Sequence, residues 1–169
     1  MAIHTAMTRI VRITVTVFIV WMSVTGSDAR AQGNSSLADI RLPTPEGDTL
    51  SLSEVSGKVI LVDFWASWCG PCRNANRKLR KVYDTFKGRG FEIFSVSLDD
   101  NEKSWLKAIK KDKMEWLQVH DATGSGSKIA TQWGVYALPT SFLLNKSGRI
   151  ILMDPDERML EQVLKEVLK

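Results

Sequence analysis

The chain has 169 residues, 44% of them hydrophobic and 25% charged, with 23 Lys and Arg against 19 Asp and Glu for a formal net charge of +4. That length and apolar content suit one domain with a sizeable core. The basic excess is too small for a nucleic-acid binder, and it shrinks to 20 basic against 18 acidic residues once Arg9, Arg12, Asp28 and Arg30 of the first 31 residues are set aside.

The first 31 residues have the form of an export signal. Arg9 and Arg12 flank the start of an apolar run from Ile13 to Val24, interrupted only by Thr14, Thr16 and Ser23, and Ala29-Arg30-Ala31 has the small-x-small pattern of a cleavage site. A run of this length is short of the ~20 residues that span a bilayer. We therefore expect cleavage near Ala31 and a periplasmic or other extracytoplasmic address, with an uncleaved N-terminal membrane anchor as the alternative. No cysteine lies near Ala31, so a lipoprotein is excluded. The expected organisation is residues 1–31 as signal, 32–37 as a polar, mobile leader and 38–169 as the folded domain.

Within that domain, Ile40 to Leu42 and Thr49 to Leu52 flank the turn Pro45-Glu46-Gly47-Asp48 and read as a hairpin. Val59 to Trp65 is a buried strand, followed by a helix from Cys72 to Lys87 that is stopped by Gly88 and Gly90. Ala75, Leu79, Val82, Tyr83 and Phe86 form its apolar stripe, which puts Ala75 against the sheet as ordinary packing. Phe91 to Leu98 alternates as a strand. Glu102 to Lys111 is a helix with Trp105, Leu106 and Ile109 on one face, behind Asp99, Asp100 and Asn101 as capping candidates. Trp116 to Val119 is a short strand, and a Gly/Ser-rich loop then leads to a brief helix carrying Ile129 and Trp133. Thr140 to Leu144 and Arg149 to Met153 close a second hairpin around Asn145-Lys146-Ser147-Gly148. Asp154-Pro155-Asp156-Glu157 supplies a cap, a first-turn proline and an acid for a last helix, whose buried side is Met159, Leu160, Val163, Leu164, Val167 and Leu168. Alternating strands and helices with a terminal hairpin predict an α/β domain with a mixed central sheet covered on both faces. Trp65, Trp105, Trp116 and Trp133 are expected in the core, and His120 at the surface.

The chemistry concentrates where the buried strand ends. Trp68-Cys69-Gly70-Pro71-Cys72 holds the only two cysteines, three residues apart at the start of a helix. Positions i and i+3 in a first turn bring two sulfurs within disulfide reach, and Pro71 is tolerated there because the first-turn amides have no intrahelical partners. Cys69 would sit at the positive end of the helix dipole, where a thiol pKa falls from ~8.5 into the range of about 3.5–7.5. Cys72, one turn deeper, is the natural resolving thiol. A structural disulfide and half of a metal site use the same pair of residues. With only His4 and His120 beside them no zinc site is read, and no residue is assigned as a metal ligand. Asp63 lies in an apolar strand, where burial raises a carboxyl pKa toward proton-transfer range; a strand-end carboxylate that merely reaches water is the plainer reading. The basic group Arg73, Arg77, Lys78, Arg80 and Lys81 is read as a solvated helix face, with steering of an acidic partner as the alternative.

The segment from Val62 to Cys72 resembles the active site of thioredoxins, and the longer pattern from about Ala38 to Lys169 is similar to the TlpA/ResA group of extracytoplasmic thiol-disulfide oxidoreductases. The resemblance implies a thioredoxin-like three-layer α/β/α sandwich with an N-terminal hairpin extension and an inserted βα unit. It implies Cys69 as nucleophile, Cys72 as resolving thiol and Asp63, six residues before the first cysteine, as proton acceptor. It also implies a substrate-binding edge made by Trp68, Gly70, Pro71, Leu138 and Pro139, in which Leu138-Pro139-Thr140 matches the family's cis-proline element. No cofactor beyond a redox-active Cys69–Cys72 disulfide is implied. The partners would be disulfide-containing proteins and an upstream electron donor, which could be membrane-bound. One position departs from the pattern: ResA-like proteins carry a glutamate three residues after the second cysteine, where this chain has Ala75. Asp63 is then left to supply the acid–base function, which draws the expectation toward general thioredoxin chemistry. Two other functions use the same residues, a thiol-dependent peroxidase and a non-enzymatic Cu(I) carrier or chaperone.

Overall fold

In Val59–Trp65 (β3) six of seven residues are buried, as a strand with neighbours on both edges and both faces requires. The computed structural model describes residues 37–169; the expected signal, its cleavage near Ala31 and residues 32–36 of the leader lie outside the described residues. Arg41–Pro43 (β1) and Thr49–Ser51 (β2) pair antiparallel as the first hairpin. Five strands form the main sheet in the order β5-β4-β3-β6-β7. Phe91–Ser97 (β4) runs parallel to β3, and Leu117–His120 (β5) parallel to β4. Thr140–Asn145 (β6) runs antiparallel to β3 on its other edge and turns back into Ile150–Met153 (β7).

Alternation along the strands divides the core in two. Val59, Leu61 and Trp65 pack with Val82, Tyr83 and Phe86 of Gly70–Phe86 (α1), Trp105 and Ala108 of Glu102–Asp112 (α2), and Leu160 and Leu164 of Glu157–Val167 (α4). Val62 and Phe64 face the other way, toward Phe94, Val96, Phe142 and Leu144, and are covered by Ile40 of the N-terminal segment and by Ala130 and Trp133 at Lys128–Gln132 (α3). Leu37, at the end of the expected leader, packs against this second cluster. The three expected layers are present. Gly90, with φ at +102°, ends the turn after α1, and its carbonyl accepts the amides of Lys58 and Val59 at the start of β3.

Four details differ from the sequence reading. His120 is buried, because α2 covers the end of β5: its ring stacks on Trp105 with centroids 4.7 Å apart, and Nε2 donates to the Asp99 carbonyl at 2.7 Å. Asp154 does not cap α4. It adopts a positive φ of 43° and locks the end of the second hairpin, accepting the Ser141 amide at 2.6 Å while its own amide donates to the Ser141 carbonyl. The cap falls to Asp156, whose Oδ1 accepts from the Met159 amide. The face of α4 that packs is the narrower stripe of Leu160, Val163, Leu164 and Leu168, leaving Met159 and Val167 about half exposed. Leu106 is likewise exposed, because Trp105 and Ala108 are the α2 residues that reach the core.

Candidate active site

The chain leaves β3 through Ala66, Ser67 and Trp68 and enters α1 at Cys69, which is its N-cap. Cys69 Sγ accepts the Cys72 amide at 3.2 Å, so the sulfur satisfies one of the donors left open in the first turn. The two cysteines are joined in a disulfide with Cα atoms 5.3 Å apart. Cys69 retains 6% of its exposure and Cys72 1%, while Trp68 beside them is 68% exposed. Gly70 and Pro71 are also exposed. The Leu138–Pro139 bond is cis.

The loop before Cys69 is fastened by residues from three elements. Asp99, buried after β4, accepts the Ser67 amide at 2.8 Å and the Ser67 hydroxyl at 2.5 Å, and also the Ser97 hydroxyl. Arg73 donates to the Ser67 carbonyl at 3.1 Å while its guanidinium forks onto the buried carboxylate of Asp112 at the end of α2. Arg77 approaches the same carboxylate at 3.5 Å. Arg73 is therefore turned inward and structural, and the basic group of α1 is not uniformly a solvated face.

Asp63 lies on the α1 side of β3 and is 3% exposed. Its carboxyl is pushed up from 3.8 to about 7, first by burial and secondarily by the negative charge of Asp154; a hydrogen bond from Ser95 works in the opposite direction. A cavity of about 390 Å³ reaches it, lined also by Pro71, Ala75, Lys78, Pro139, Asp154 and Glu157. Ala75 thus opens onto the space above Asp63 instead of packing on the sheet, because the register of α1 turns Cys72, Asn76 and Val82 inward and leaves Ala75 half exposed. Asp63, Pro71 and Pro139 are brought together at this cavity, and Leu138 bridges the two cores behind it. Among the described residues no three His, Cys, Asp or Glu side chains cluster as metal ligands.

Sequence reasoning missed Ser67, Asp99, Asp112 and Ser95. Ser95 carried a signal, since it interrupts an apolar strand at the same parity as the residues that face α1. Asp99 reads as a capping candidate for α2, a place that Asn101 takes instead, and Asp112 carried no signal, because a carboxylate at a helix end ordinarily reads as solvated.

A disulfide spanning the first turn of a helix after a central strand, with a cis-proline on the same cavity as Pro71 between the cysteines, defines this thioredoxin-type fold as a thiol-disulfide oxidoreductase. The sequence pattern described as the AhpC/TSA family matches residues 34–153, and the chain belongs to that family. Thiol-disulfide oxidoreductase ResA of Bacillus thuringiensis subsp. konkukian (strain 97-27) is 32% identical over 124 residues, which cover 73% of this chain and 69% of that protein. Two solved structures share the fold. A thiol-disulfide oxidoreductase from Bacteroides fragilis NCTC 9343 matches with a TM-score of 0.73 and 37% identity, covering 78% of this chain and 98% of the other. A putative thiol:disulfide interchange protein DsbE from Chlorobium tepidum matches with a TM-score of 0.71 and 31% identity, covering 79% and 96%.

Proposed function

We propose that the protein is an exported reductase of protein disulfides. The Cys69 thiolate attacks one sulfur of a target disulfide, forming a mixed disulfide and releasing the other target sulfur as a thiolate. Cys72 then gives its proton to the Asp63 carboxylate and attacks Cys69 Sγ. The Cys69–Cys72 disulfide forms, and the second target sulfur leaves and is protonated. The target gains two electrons and the protein loses two, so an upstream donor of thiol or dithiol character must restore the reduced form. No bound cofactor enters these steps.

The observation that carries this reading is the N-cap position of Cys69. A sulfur that already accepts a first-turn amide at the positive end of α1 gains from ionisation on reduction, whereas Cys72 beneath it does not. The cavity at Asp63 supports its role as proton acceptor, and the exposed Trp68, Gly70 and Pro71, with Leu138 and Pro139, supply a docking edge for a polypeptide. Export rests on the leader sequence: Ile13 to Val24 and Ala29-Arg30-Ala31 make residues 1–31 a signal and 32–37 a spacer before the folded domain at 38–169.

Reduction of insulin disulfides driven by dithiothreitol tests the assignment. Wild type accelerates it, Cys69→Ser abolishes the acceleration, and Cys72→Ser accumulates a mixed disulfide with the target. Consumption of hydroperoxide without any disulfide substrate, at a rate exceeding insulin reduction, would replace this reading with a peroxidase.

A further inference from the structure

The sheet register sets four polar side chains in a row across the α1 face of the sheet: Ser141 on β6 beside Asp63 on β3, Asp63 beside Ser95 on β4, and Ser95 beside Gln118 on β5. Within that row the hydroxyl of Ser95, fully buried, lies 3.3 Å from Asp63 Oδ2. The indole Nε1 of Trp116 donates to the same Ser95 oxygen at 2.8 Å. An indole N–H can only donate, so it occupies a lone pair of Ser95 and leaves the single hydroxyl proton to point at the carboxylate. A donor fixed in this way favours the ionised acid, in a site whose burial favours the neutral one.

We propose that Ser95, oriented by the Trp116 indole, is a positioning residue that keeps Asp63 able to accept the proton of Cys72. The proposal rests on the role given to Asp63 above. It follows from the direction of the donors: Asp63 has one neutral hydroxyl aimed at it, and a protonated Asp63 has no capacity to take a second proton from a thiol. The other titratable groups around it do not supply this help. Asp154, Asp156 and Glu157 line the shared cavity as acids, and the Asp154 charge opposes ionisation. Lys78 of α1 lines the cavity from an exposed position, and His120 of β5 is committed to the Asp99 carbonyl.

The test follows the Asp63 side-chain carboxyl by carbon-13 NMR in the oxidised protein, with the pH profile of insulin reduction measured in parallel. Ser95→Ala is expected to raise the Asp63 midpoint by about one pH unit, and the acid limb of the reductase profile should move with it. Trp116→Phe, which keeps a ring in the core but removes the N–H, should shift both in the same direction by less; it also serves if Ser95→Ala does not fold. Ser95→Thr, which keeps the hydroxyl, should restore the wild-type midpoint. A merely structural serine would lower stability and leave the midpoint where it is. An unmoved midpoint in Ser95→Ala, with altered kinetics in Asp63→Asn, overturns the inference and spares the role of Asp63. A midpoint that moves while both Ser95→Ala and Asp63→Asn keep the wild-type reductase profile overturns the role of Asp63, and the inference with it.

Discussion

Replacing Asp63 by Asn should make the folded protein more resistant to denaturation as pH rises, although it removes a group of the proposed mechanism. Burial pushes the carboxyl up to about 7 in the folded chain, against 3.8 for the free group. The folded state therefore holds a proton that the unfolded state has already released across that window. Stability falls with rising pH between those two values and is level outside them. At about 1.4 kcal/mol per pH unit the gap amounts to roughly 4 kcal/mol, a large part of a total stability of about 5–15 kcal/mol. The amide introduced by Asp63→Asn carries no such titration. It fits the Ser95 hydroxyl less well than the carboxyl does, at a cost of about 1–2 kcal/mol that does not depend on pH. The measurement is urea unfolding of the oxidised wild type and Asp63→Asn at pH 4, 5.5, 7 and 8.5. The variant's stability relative to wild type should climb by several kcal/mol from the lowest pH to pH 7 and then flatten. A difference that stays within about 1 kcal/mol across the series would refute a buried, proton-holding Asp63.

Other perturbations separate the scaffold from the chemistry. Arg73→Ala leaves the buried Asp112 with only the more distant Arg77, and should cost about 2–3 kcal/mol in chemical denaturation. Asp99→Ala strands the Ser67 amide and two hydroxyls, so a loss of about 3 kcal/mol is expected, against about 1 kcal/mol for Ser67→Ala; equal losses would show that Asp99 is not the anchor. Trp68→Ala, at a largely exposed position, should change stability by less than about 0.5 kcal/mol while raising the KM for insulin several-fold in a turbidity assay.

The fold was legible because its signals are periodic. The apolar run that begins at Val59, the alternation from Phe91 and the hairpin residues around Asn145 each specify an element without help from distant residues. The dithiol was legible for a related reason, since spacing within one helical turn is a local property. What escaped depends on which elements meet. His120 reads as a strand-end residue until α2 lays Trp105 over it, and Asp154 reads as a helix cap until the second hairpin uses it to bind Ser141. Ala75 was placed in the wrong environment by a helical stripe drawn one position too wide, an error that only the register of α1 against the sheet corrects.

With a polypeptide target docked at Trp68 as proposed above, the double fastening of Ser67 sets how that target is met. Such a target then meets the indole of Trp68, which is largely exposed and follows directly on a residue held by Asp99 and Arg73. Such a platform gives up little conformational freedom on contact, so encounter requires adjustment mainly from the visitor. Discrimination among clients should then appear chiefly as differences in how long each one lingers and only slightly in how fast it arrives.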